Sequence, residues 1–406
     1  MSFQGVQTNK AQGGLIRGGG TDRVAAFVSG CGETDKLSHF TPYELLQIED
    51  AEALGIDAAC DAAGETLTHY HLSETFRLSP ETRIFLIAVP VATKVSDLKT
   101  LPAFVAALRS IDGINTIAAA GLTADADITA AIAGAQILAD NFAGEHIYID
   151  SLLIEGHGGY LAGTIATMPD LRQIDSPNVS VIIAQDPGKA AELPAYAGHG
   201  AVGSALGMLM VRAAHENLGS VDIEKKPRSR MIEDNYPLTD ARLGLWVNAA
   251  LSNGKPFSEL SFADQTKLDE LGYIYAGKFN GYGGFYFSNS HTCTGAGSDY
   301  AFIERNAVWN KATRIIRNTL IPRIRSKVEA DSSTGYIKST TIASWDGLVR
   351  KALKAMTTAQ NVADFDIYID PNQLAVSNAP FKIRVRLVAD GVVHEFEVDL
   401  GFTNKI

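Results

Sequence analysis

The sequence predicts an α/β fold with a mostly parallel sheet, joined to a smaller α+β domain that ends in a β-hairpin. Short apolar strands alternate with helical stretches from residue 23 to about 272, which is the pattern of successive βαβ units. The segment FKIRVRLVADGVVHEFEVDLGF (381–402) alternates apolar and polar residues on both sides of Asp390-Gly391, which is a strong hairpin signal. Residues 1–22 include GGLIRGGG and are rich in Gly, Gln, Asn and Thr, a composition that predicts an extended arm.

These observations divide the chain into four parts. The arm buries little apolar surface of its own, the alternating region needs a sheet covered on both faces, and the final segments combine long helices with antiparallel strands. The predicted parts are an extended arm at 1–22, an α/β outer domain at 23–272, an α+β inner domain at 273–400 and a tail at 401–406.

The outer domain is predicted from strands and helices in alternation. Runs such as RIFLIAVP and VSVIIAQD are short, apolar throughout and bounded by polar residues, as buried parallel strands are. The predicted strands are 23–30, 83–90, 114–121, 146–154 and 179–186. The predicted helices are 41–55, about 60–79, 96–111, 126–144, about 201–217 and 261–271.

The inner domain is predicted to begin with a hairpin around Asn280-Gly281, followed by a long helix from Tyr300 to about Val328 that Pro322 bends or interrupts. A strand is expected at 365–370. A second helix is expected at 345–360, with Ser344 as its N-cap. Its apolar face contains Trp345, Leu348, Val349, Ala352, Leu353 and Met356. Its opposite face carries Arg350, Lys351 and Lys354.

The terminal hairpin has a register that two independent patterns support. Folding at Asp390-Gly391 places apolar residues opposite one another on one face and opposite charges across the strands on the other. An isolated hairpin is marginal in water, so this one is expected to join a larger sheet. The predicted apolar pairs are Ile383 with Val398 and Val385 with Phe396, and the charged pairs are Arg384 with Glu397 and Arg386 with Glu395.

Composition excludes several classes of protein. With 46% hydrophobic and 20% charged residues among 406, the chain has ordinary globular composition, and a net charge of −11 argues against a general nucleic-acid binder. Three widely spaced cysteines indicate a reducing compartment. The N-terminus lacks the apolar core of a signal peptide, and the apolar stretch 84–92 is too short to span a bilayer. We therefore expect a soluble protein made in a cytoplasm.

The strongest enzyme-like motif is GHGAVG, which matches the dinucleotide pattern GxGxxG and opens a helix. Asp222 lies where such a site needs an acidic residue for the ribose. However, PGKAAELPAYA separates the motif from the strand that should lead directly into it. We expect the glycines to serve close helix packing, with an NAD(P)-dependent oxidoreductase that uses Gly198, Gly200, Gly203 and Asp222 as the alternative.

Other candidate chemistry is weaker. His69 and His71 lie on different faces of a helix, and His157 has no carboxylate pair at metal-ligand spacing in the sequence around it, so surface or turn histidines are expected. Cys293 has no ordered acid–base set beside it. The chain also lacks GxSxG, P-loop and HExxH motifs. We therefore expect no enzyme activity, no cofactor and no metal.

The order of these segments resembles the contractile tail sheath proteins of phage tails, R-type bacteriocins and contractile injection systems. The resemblance covers nearly the whole chain and depends on the order and character of segments more than on invariant motifs. Two departures are the arm, whose usual Pro-Gly-Val-Tyr is reduced to Gly5-Val6-Gln7, and His291-Thr292, where Arg-Thr is common. The segments that carry the resemblance are RVAAFVSGCG, FTPYELLQIEDAEALG, INTIAAAGL, HGAVGSALGMLMVRAAHENLG, HTCTGAGSDYAFIERNAVWNKATRIIRNTL and TTIASWDGLVRKALKAM.

The resemblance implies a structural subunit that polymerises helically around an inner tube and contracts. The implied partners are other copies of the chain, the tube protein, and baseplate and tail terminator proteins, with no nucleic acid and no insertion into a membrane. The implied location is the bacterial cytoplasm during assembly, then a virion tail or an extracellular tail-like particle. A non-contractile self-assembling structural protein is a further alternative.

The resemblance also implies which residues make contacts between subunits. Sheath arms complete a neighbouring subunit's sheet by β-augmentation. The candidate tube-facing residues are Arg350, Lys351 and Lys354. The candidate arm residues are Gly5, Val6, Gly13, Gly14, Leu15 and Ile16, and the candidate hairpin residues are Ile383, Arg384, Val385, Arg386, Glu395, Phe396, Glu397 and Val398.

Overall fold

A computed structural model describes residues 23–161, 163–376, 379–394, 396–398, 400 and 402. The chain divides into two compact units, the first ending at Ala307 and the second beginning at Val308. This boundary is later than the predicted one between residues 272 and 273. The segment after 272 stays with the first unit because Ser176 and Cys293 form an antiparallel bridge and Ile182 pairs with Ile274.

The first unit is built on a six-stranded sheet. Its strands are β1 (Ala25–Gly30), β2 (Pro42–Leu45), β3 (Ile84–Val89), β4 (Thr116–Ala120), β5 (Ser151–Glu155) and β6 (Val179–Ile182). Their order in the sheet is β2-β3-β1-β4-β5-β6, and every neighbouring pair is parallel except β2 with β3. The predicted mostly parallel sheet is therefore confirmed.

Helices cover both faces of this sheet. They are α1 (Ile48–Ala53), α2 (Ala58–Gly64), α3 (Thr68–Leu78), α4 (Pro102–Arg109), α5 (Ile128–Gly144), α6 (Pro187–Glu192), α7 (Val202–Val211) and α8 (Phe262–Glu270). Alternate residues of a strand point to opposite faces, so Phe27 of β1 packs in one core with α3 and α7. Its neighbour Val28 packs in the other core with α4 and α5.

Four of the predicted helices differ from the observed elements, and two of these are divided: 60–79 forms α2 and α3, and 96–111 forms a 3₁₀ helix (Val95–Thr100) and α4. Residues 42–45 of the predicted helix 41–55 form β2, an edge strand antiparallel to β3, and only α1 is helical. An edge strand tolerates Pro42, which a helix interior does not. The predicted helix 201–217 ends at Val211 because the Arg212 backbone is extended.

Two short antiparallel pairs complete the first unit. β7 (Ala184–Gln185) pairs with β8 (Ala250–Leu251), and β9 (Ala276–Gly277) pairs with β10 (Tyr286–Phe287). The second pair confirms the hairpin predicted around Asn280-Gly281. Its loop contains a turn at these two residues, in which the Tyr282 N–H donates to the Phe279 carbonyl at 3.1 Å and Gly281 has a φ of 78°.

Helix α9 (Ile303–Leu320) contains the boundary between the units and ends just before Pro322. A 3₁₀ turn follows at Ile321–Arg323. The predicted interruption at Pro322 is therefore confirmed, although the helix does not resume to Val328. A proline cannot continue the backbone hydrogen bonds of the preceding turn.

The second unit contains α10 (Ser339–Thr358), β11 (Asp364–Ile369) and β12 (Ile383–Val388). The predicted apolar face of α10 is confirmed, since Trp345, Val349, Leu353 and Met356 are buried. The N-cap prediction is wrong, because α10 begins at Ser339 and Ser344 lies inside it. The first turn of α10 carries little apolar periodicity, so the pattern of buried residues did not reveal where the helix starts.

Within the described residues, no helix is long and apolar enough to cross a membrane.

Candidate functional site

The second unit presents a two-stranded sheet in which β12 has a different partner from the predicted one. Ile383, Arg384, Val385 and Arg386 pair with β11 in an antiparallel register. Among the described residues of the 391–402 segment no strand is formed, and Phe396, Glu397 and Val398 pair with no strand there.

The side chains of β12 nevertheless alternate as predicted, with apolar residues on one face and mostly charged residues on the other. Phe365 and Ile367 of β11 stand opposite Leu387 and Val385, on the side of the sheet that packs in the core of the second unit. On the other side, Asp366 stands opposite Arg386. Asp366 therefore occupies the position opposite Arg386 that Glu395 was predicted to occupy. The physical reason is that β11 already contacts α10 and offers a covered apolar face, which the following segment lacks.

The segment after β12 leaves apolar side chains in solvent. Phe396 is 81% exposed, Val398 77% and Leu400 95%. Among the described residues no third strand joins β11 and β12. Large exposed apolar side chains and an unpaired strand edge are each typical of a surface that another chain covers.

The three candidate tube-facing residues lie on the exposed face of α10. Arg350, Lys351 and Lys354 are all exposed. The Arg350 guanidinium forms an ion pair with Asp346 at 3.2 Å and lies 5.9 Å from the ring centroid of Phe365. The structure thus shows an accessible basic face, with one of its three charges already paired within the helix.

Several predicted residues lie outside the described part of the chain. They are the arm residues Gly5, Val6, Gly13, Gly14, Leu15 and Ile16, together with Glu395 of the predicted hairpin.

Two of the three glycines of the GHGAVG motif, Gly200 and Gly203, serve the predicted close packing, whereas a Cβ atom at Gly198 would meet nothing within 4 Å and this residue has a φ of 87°. A Cβ atom at Gly200 would lie 2.2 Å from the Ile182 carbonyl oxygen, and one at Gly203 would lie 2.3 Å from the His71 carbonyl oxygen. Asp222 forms an ion pair with Lys226 at 2.7 Å. Glycine at these two positions therefore allows the loop before α7 to approach β6 and allows α7 to approach α3.

The same loop brings together a group of side chains that the sequence did not reveal as a site. Glu155 at the end of β5 is buried and is surrounded by three histidines. Its carboxylate lies 3.2 Å from Nδ1 of His199, 3.5 Å from Nε2 of His71 and 3.9 Å from Nε2 of His157. The prediction of a surface or turn histidine is wrong for His71, which is fully buried within α3. His157 lies in the loop after β5, as predicted, and also faces this carboxylate.

The charge state of this group follows from its surroundings. Burial would raise the pKa of Glu155, but the charge and hydrogen bond of His199, with His71 and His157 nearby, hold it far below its usual range. Burial lowers the pKa of His157 and favours its neutral form. Burial also disfavours protonated His199, but the charge of Glu155 and its hydrogen bond raise the pKa of His199 overall.

Cys293 has no features of a reactive thiol. Its side chain is buried in the core on the α4–α5 face of the sheet, and burial raises the pKa of the thiol. A buried, protonated thiol is a poor nucleophile.

Comparison with solved structures shows the fold over the whole chain. The helical sheath of the anti-feeding prophage (AFP) in its contracted state is 14% identical, with a TM-score of 0.63 and 100% of both chains covered. The contracted PVC sheath complex of an extracellular contractile injection system is 11% identical, with a TM-score of 0.59 and coverage of 100% of this chain and 98% of that chain. The sheath tail protein from Desulfitobacterium hafniense is 10% identical, with a TM-score of 0.52 and coverage of 95% and 100%.

The resemblance to contractile sheath proteins is therefore confirmed at the level of the fold. No curated protein matches the chain in sequence. Two family models match it, "DUF2586, N-terminal domain" over residues 3–291 and "DUF2586, C-terminal domain" over residues 299–406. Since these matches cover nearly all of its length, the chain belongs to the DUF2586 family.

Proposed function

We propose that this chain is the structural subunit of a contractile sheath. It polymerises helically around an inner tube and contracts to drive that tube through a target envelope. The observation that carries the proposal is the sheath fold over the full length of the chain, shared with proteins from contracted helical sheaths. No catalytic step is part of this function, because rigid units that reach better-packed contacts supply the work of contraction.

The second unit supports the proposal because its sheet has only two strands among the described residues. A two-stranded sheet is marginal by itself, and the exposed Phe396, Val398 and Leu400 lie shortly after β12. A strand from the Gly-rich arm (1–22) of a neighbouring copy extends this sheet by β-augmentation. Such pairing keeps neighbours joined through backbone hydrogen bonds while the first units move as rigid bodies.

The partners of the chain follow from the same function. They are other copies of itself, a tube protein, and the baseplate and tail terminator proteins that close the two ends of the polymer. The protein assembles in a bacterial cytoplasm and ends in a virion tail or an extracellular tail-like particle. It needs no cofactor for this role.

The basic face of α10 is the proposed surface toward the tube. Ion pairs between exposed side chains contribute only about 0–1 kcal/mol each, so they break readily when the sheath contracts. Changing Arg350, Lys351 and Lys354 together to Glu should leave the chain folded and prevent assembly on tubes. Normally sheathed particles formed by this variant would remove these residues from the tube interface.

Negative-stain electron microscopy tests the function directly. The purified chain is imaged alone and after co-expression with its tube protein. Striated tubes or stacked rings that shorten under mild denaturant support a contractile sheath. Polymers of constant length would instead indicate a non-contractile structural protein, and small discrete oligomers that bind NAD or NADP in calorimetry would indicate the oxidoreductase.

A further inference from the structure

We propose that Glu155, His157 and His199 form a binding site for a divalent transition-metal ion of the Zn²⁺ class. The site lies in the first unit, at the carboxyl end of β5. It shares no residue with the polymerisation surfaces proposed in the second unit.

The distances between the three side chains suit a common ion. One ligand atom from each lies within 4.8 Å of the other two. Glu155 Oε2 is 3.2 Å from His199 Nδ1 and 3.9 Å from His157 Nε2. Ligands bonded to tetrahedral Zn²⁺ at about 2.0–2.1 Å lie roughly 3.3 Å apart. Small side-chain rotations would therefore place all three ligand atoms around one ion.

Backbone contacts hold the two contributing loops together. The Gly158 N–H donates a hydrogen bond to the Gly198 carbonyl at 2.7 Å, and the Gly156 N–H donates to the Ile182 carbonyl at 2.9 Å. Gly200 lies so close to that same carbonyl that no side chain would fit. These contacts fix the backbone beside His157 and His199, so the ligands are brought together before any ion binds.

A second layer of polar contacts orients the carboxylate. The Gly121 N–H donates to Glu155 Oε2 at 2.9 Å. The Gly203 N–H donates to His71 Nδ1 at 3.2 Å, so the proton of a neutral His71 lies on Nε2, which faces Glu155 Oε1 at 3.5 Å. Both His71 Nε2 and Glu155 Oε1 are buried, and within the described part of the chain neither has a hydrogen-bond partner. Supporting contacts of this kind hold the ligands of a metal site in place.

The ligand types and their exposure define the class of ion. Two imidazoles and one carboxylate favour Zn²⁺ and similar transition metals, whereas Ca²⁺ and Mg²⁺ prefer oxygen ligands. The side chains of His157 and His199 are 14% and 23% exposed, while that of Glu155 is 3% exposed. Solvent therefore reaches the two histidines, so an ion in solution has access to the group.

Isothermal titration calorimetry with ZnCl₂ on the EDTA-treated full chain tests the site. We expect one Zn²⁺ per chain, and either His157→Gln or His199→Gln should weaken binding by more than about tenfold. The matched control is His69→Gln, since His69 also faces a carboxylate, Glu52 at 3.3 Å, but belongs to no group of three metal-ligating side chains among the described residues. This variant should bind Zn²⁺ with the same affinity and stoichiometry as the unmodified chain.

Two outcomes would overturn the proposal. One is the absence of stoichiometric Zn²⁺ binding by the unmodified chain, which needs no variant. The other is binding that persists in both His157→Gln and His199→Gln, with circular dichroism confirming that they are folded. Because calorimetry measures ion binding and electron microscopy measures assembly, failure here is distinct from failure of the sheath proposal.

Discussion

Gly203 is a single residue on which the contact between α3 and α7 depends. A Cβ atom there would lie 2.3 Å from the His71 carbonyl oxygen and 2.6 Å from the His71 Cα, both of them backbone atoms. Gly203→Ala should lower the free energy of unfolding by about 1–3 kcal/mol, because the helices must separate to admit the methyl group. Urea denaturation measures this change.

The control for Gly203 is Gly144→Ala. Gly144 is the last residue of α5, and a Cβ atom added there meets nothing within 4 Å. We expect that variant to be neutral or slightly more stable, since Ala is favoured over Gly in a helix. Equal unfolding free energies for the two variants would contradict the packing role of Gly203.

Glu74 is a buried carboxylate with a structural role. It accepts hydrogen bonds from Arg77 Nε at 2.7 Å and Nη2 at 2.8 Å, from Ser204 Oγ at 2.9 Å and from Trp246 Nε1 at 3.1 Å. Glu74→Gln should cost about 3–5 kcal/mol in the free energy of unfolding, because it leaves the Arg77 charge without its buried partner. Glu44→Gln is the control, since its ion pair with Arg83 at 3.4 Å is half-exposed and worth about 0–1 kcal/mol.

The contribution of Glu74 should depend on pH in a defined direction. Burial would raise the pKa of Glu74, but the hydrogen bonds and charge of Arg77, with Ser204 and Trp246, lower it overall. A lowered folded-state pKa means that the stabilisation is fully present above the unfolded value of about 4.3 and is lost as the pH falls through the folded-state pKa. The stability difference between the unmodified chain and Glu74→Gln should therefore narrow in acid. A constant difference from neutral pH to strong acid would show that Glu74 is not ionised in the folded chain.

At the scale of elements, the pairing of β12 with β11 is the feature most open to test. Arg386→Glu places like charges opposite each other at Asp366, so it should destabilise the second unit by about 0.2–1 kcal/mol. Adding Asp366→Arg should recover the lost stability in the isolated chain, because opposite charges again face each other. Chemical denaturation at low salt, where charge pairs are least screened, measures both steps.

A second double variant separates the observed pairing from the predicted hairpin. Suppose that Glu395→Arg recovers the stability lost in Arg386→Glu in the isolated chain, and that Asp366→Arg does not. Then β12 pairs with the following segment, and the observed pairing of β12 with β11 is wrong. Rescue by Glu395→Arg only in the polymer would instead indicate that this segment forms its strand between subunits.

At the scale of the whole molecule, assembly is expected to depend on the arm more than folding does. Residues 1–22 contain few large apolar side chains, so they add little to a hydrophobic core. Deleting residues 2–20 should leave the melting temperature of the monomer almost unchanged and abolish long polymers. Equal hydrogen-exchange protection of residues 1–22 in monomer and polymer would show that the arm does not join subunits.

Local patterns in the sequence determined much of the fold. Short apolar runs predicted the strands of the parallel sheet, the apolar face of α10 was visible in its 3.6-residue period, and Pro322 predicted the end of α9. These features were predictable because burial and backbone geometry act on residues that are close together in the chain. The alternation of β12 was also predictable, since its side chains face the same way whichever strand lies beside it.

Only the tertiary structure decided which distant segments meet. β12 pairs with β11 because α10 already covers β11. No short stretch of the sequence shows that these two elements pack together. The group of Glu155, His157 and His199 likewise depends on the order of strands in the sheet and on the close approach that Gly200 allows. Each of these residues is unremarkable within its own segment. Their chemistry arises from proximity, and proximity between distant segments is set by how the whole sheet and its loops pack.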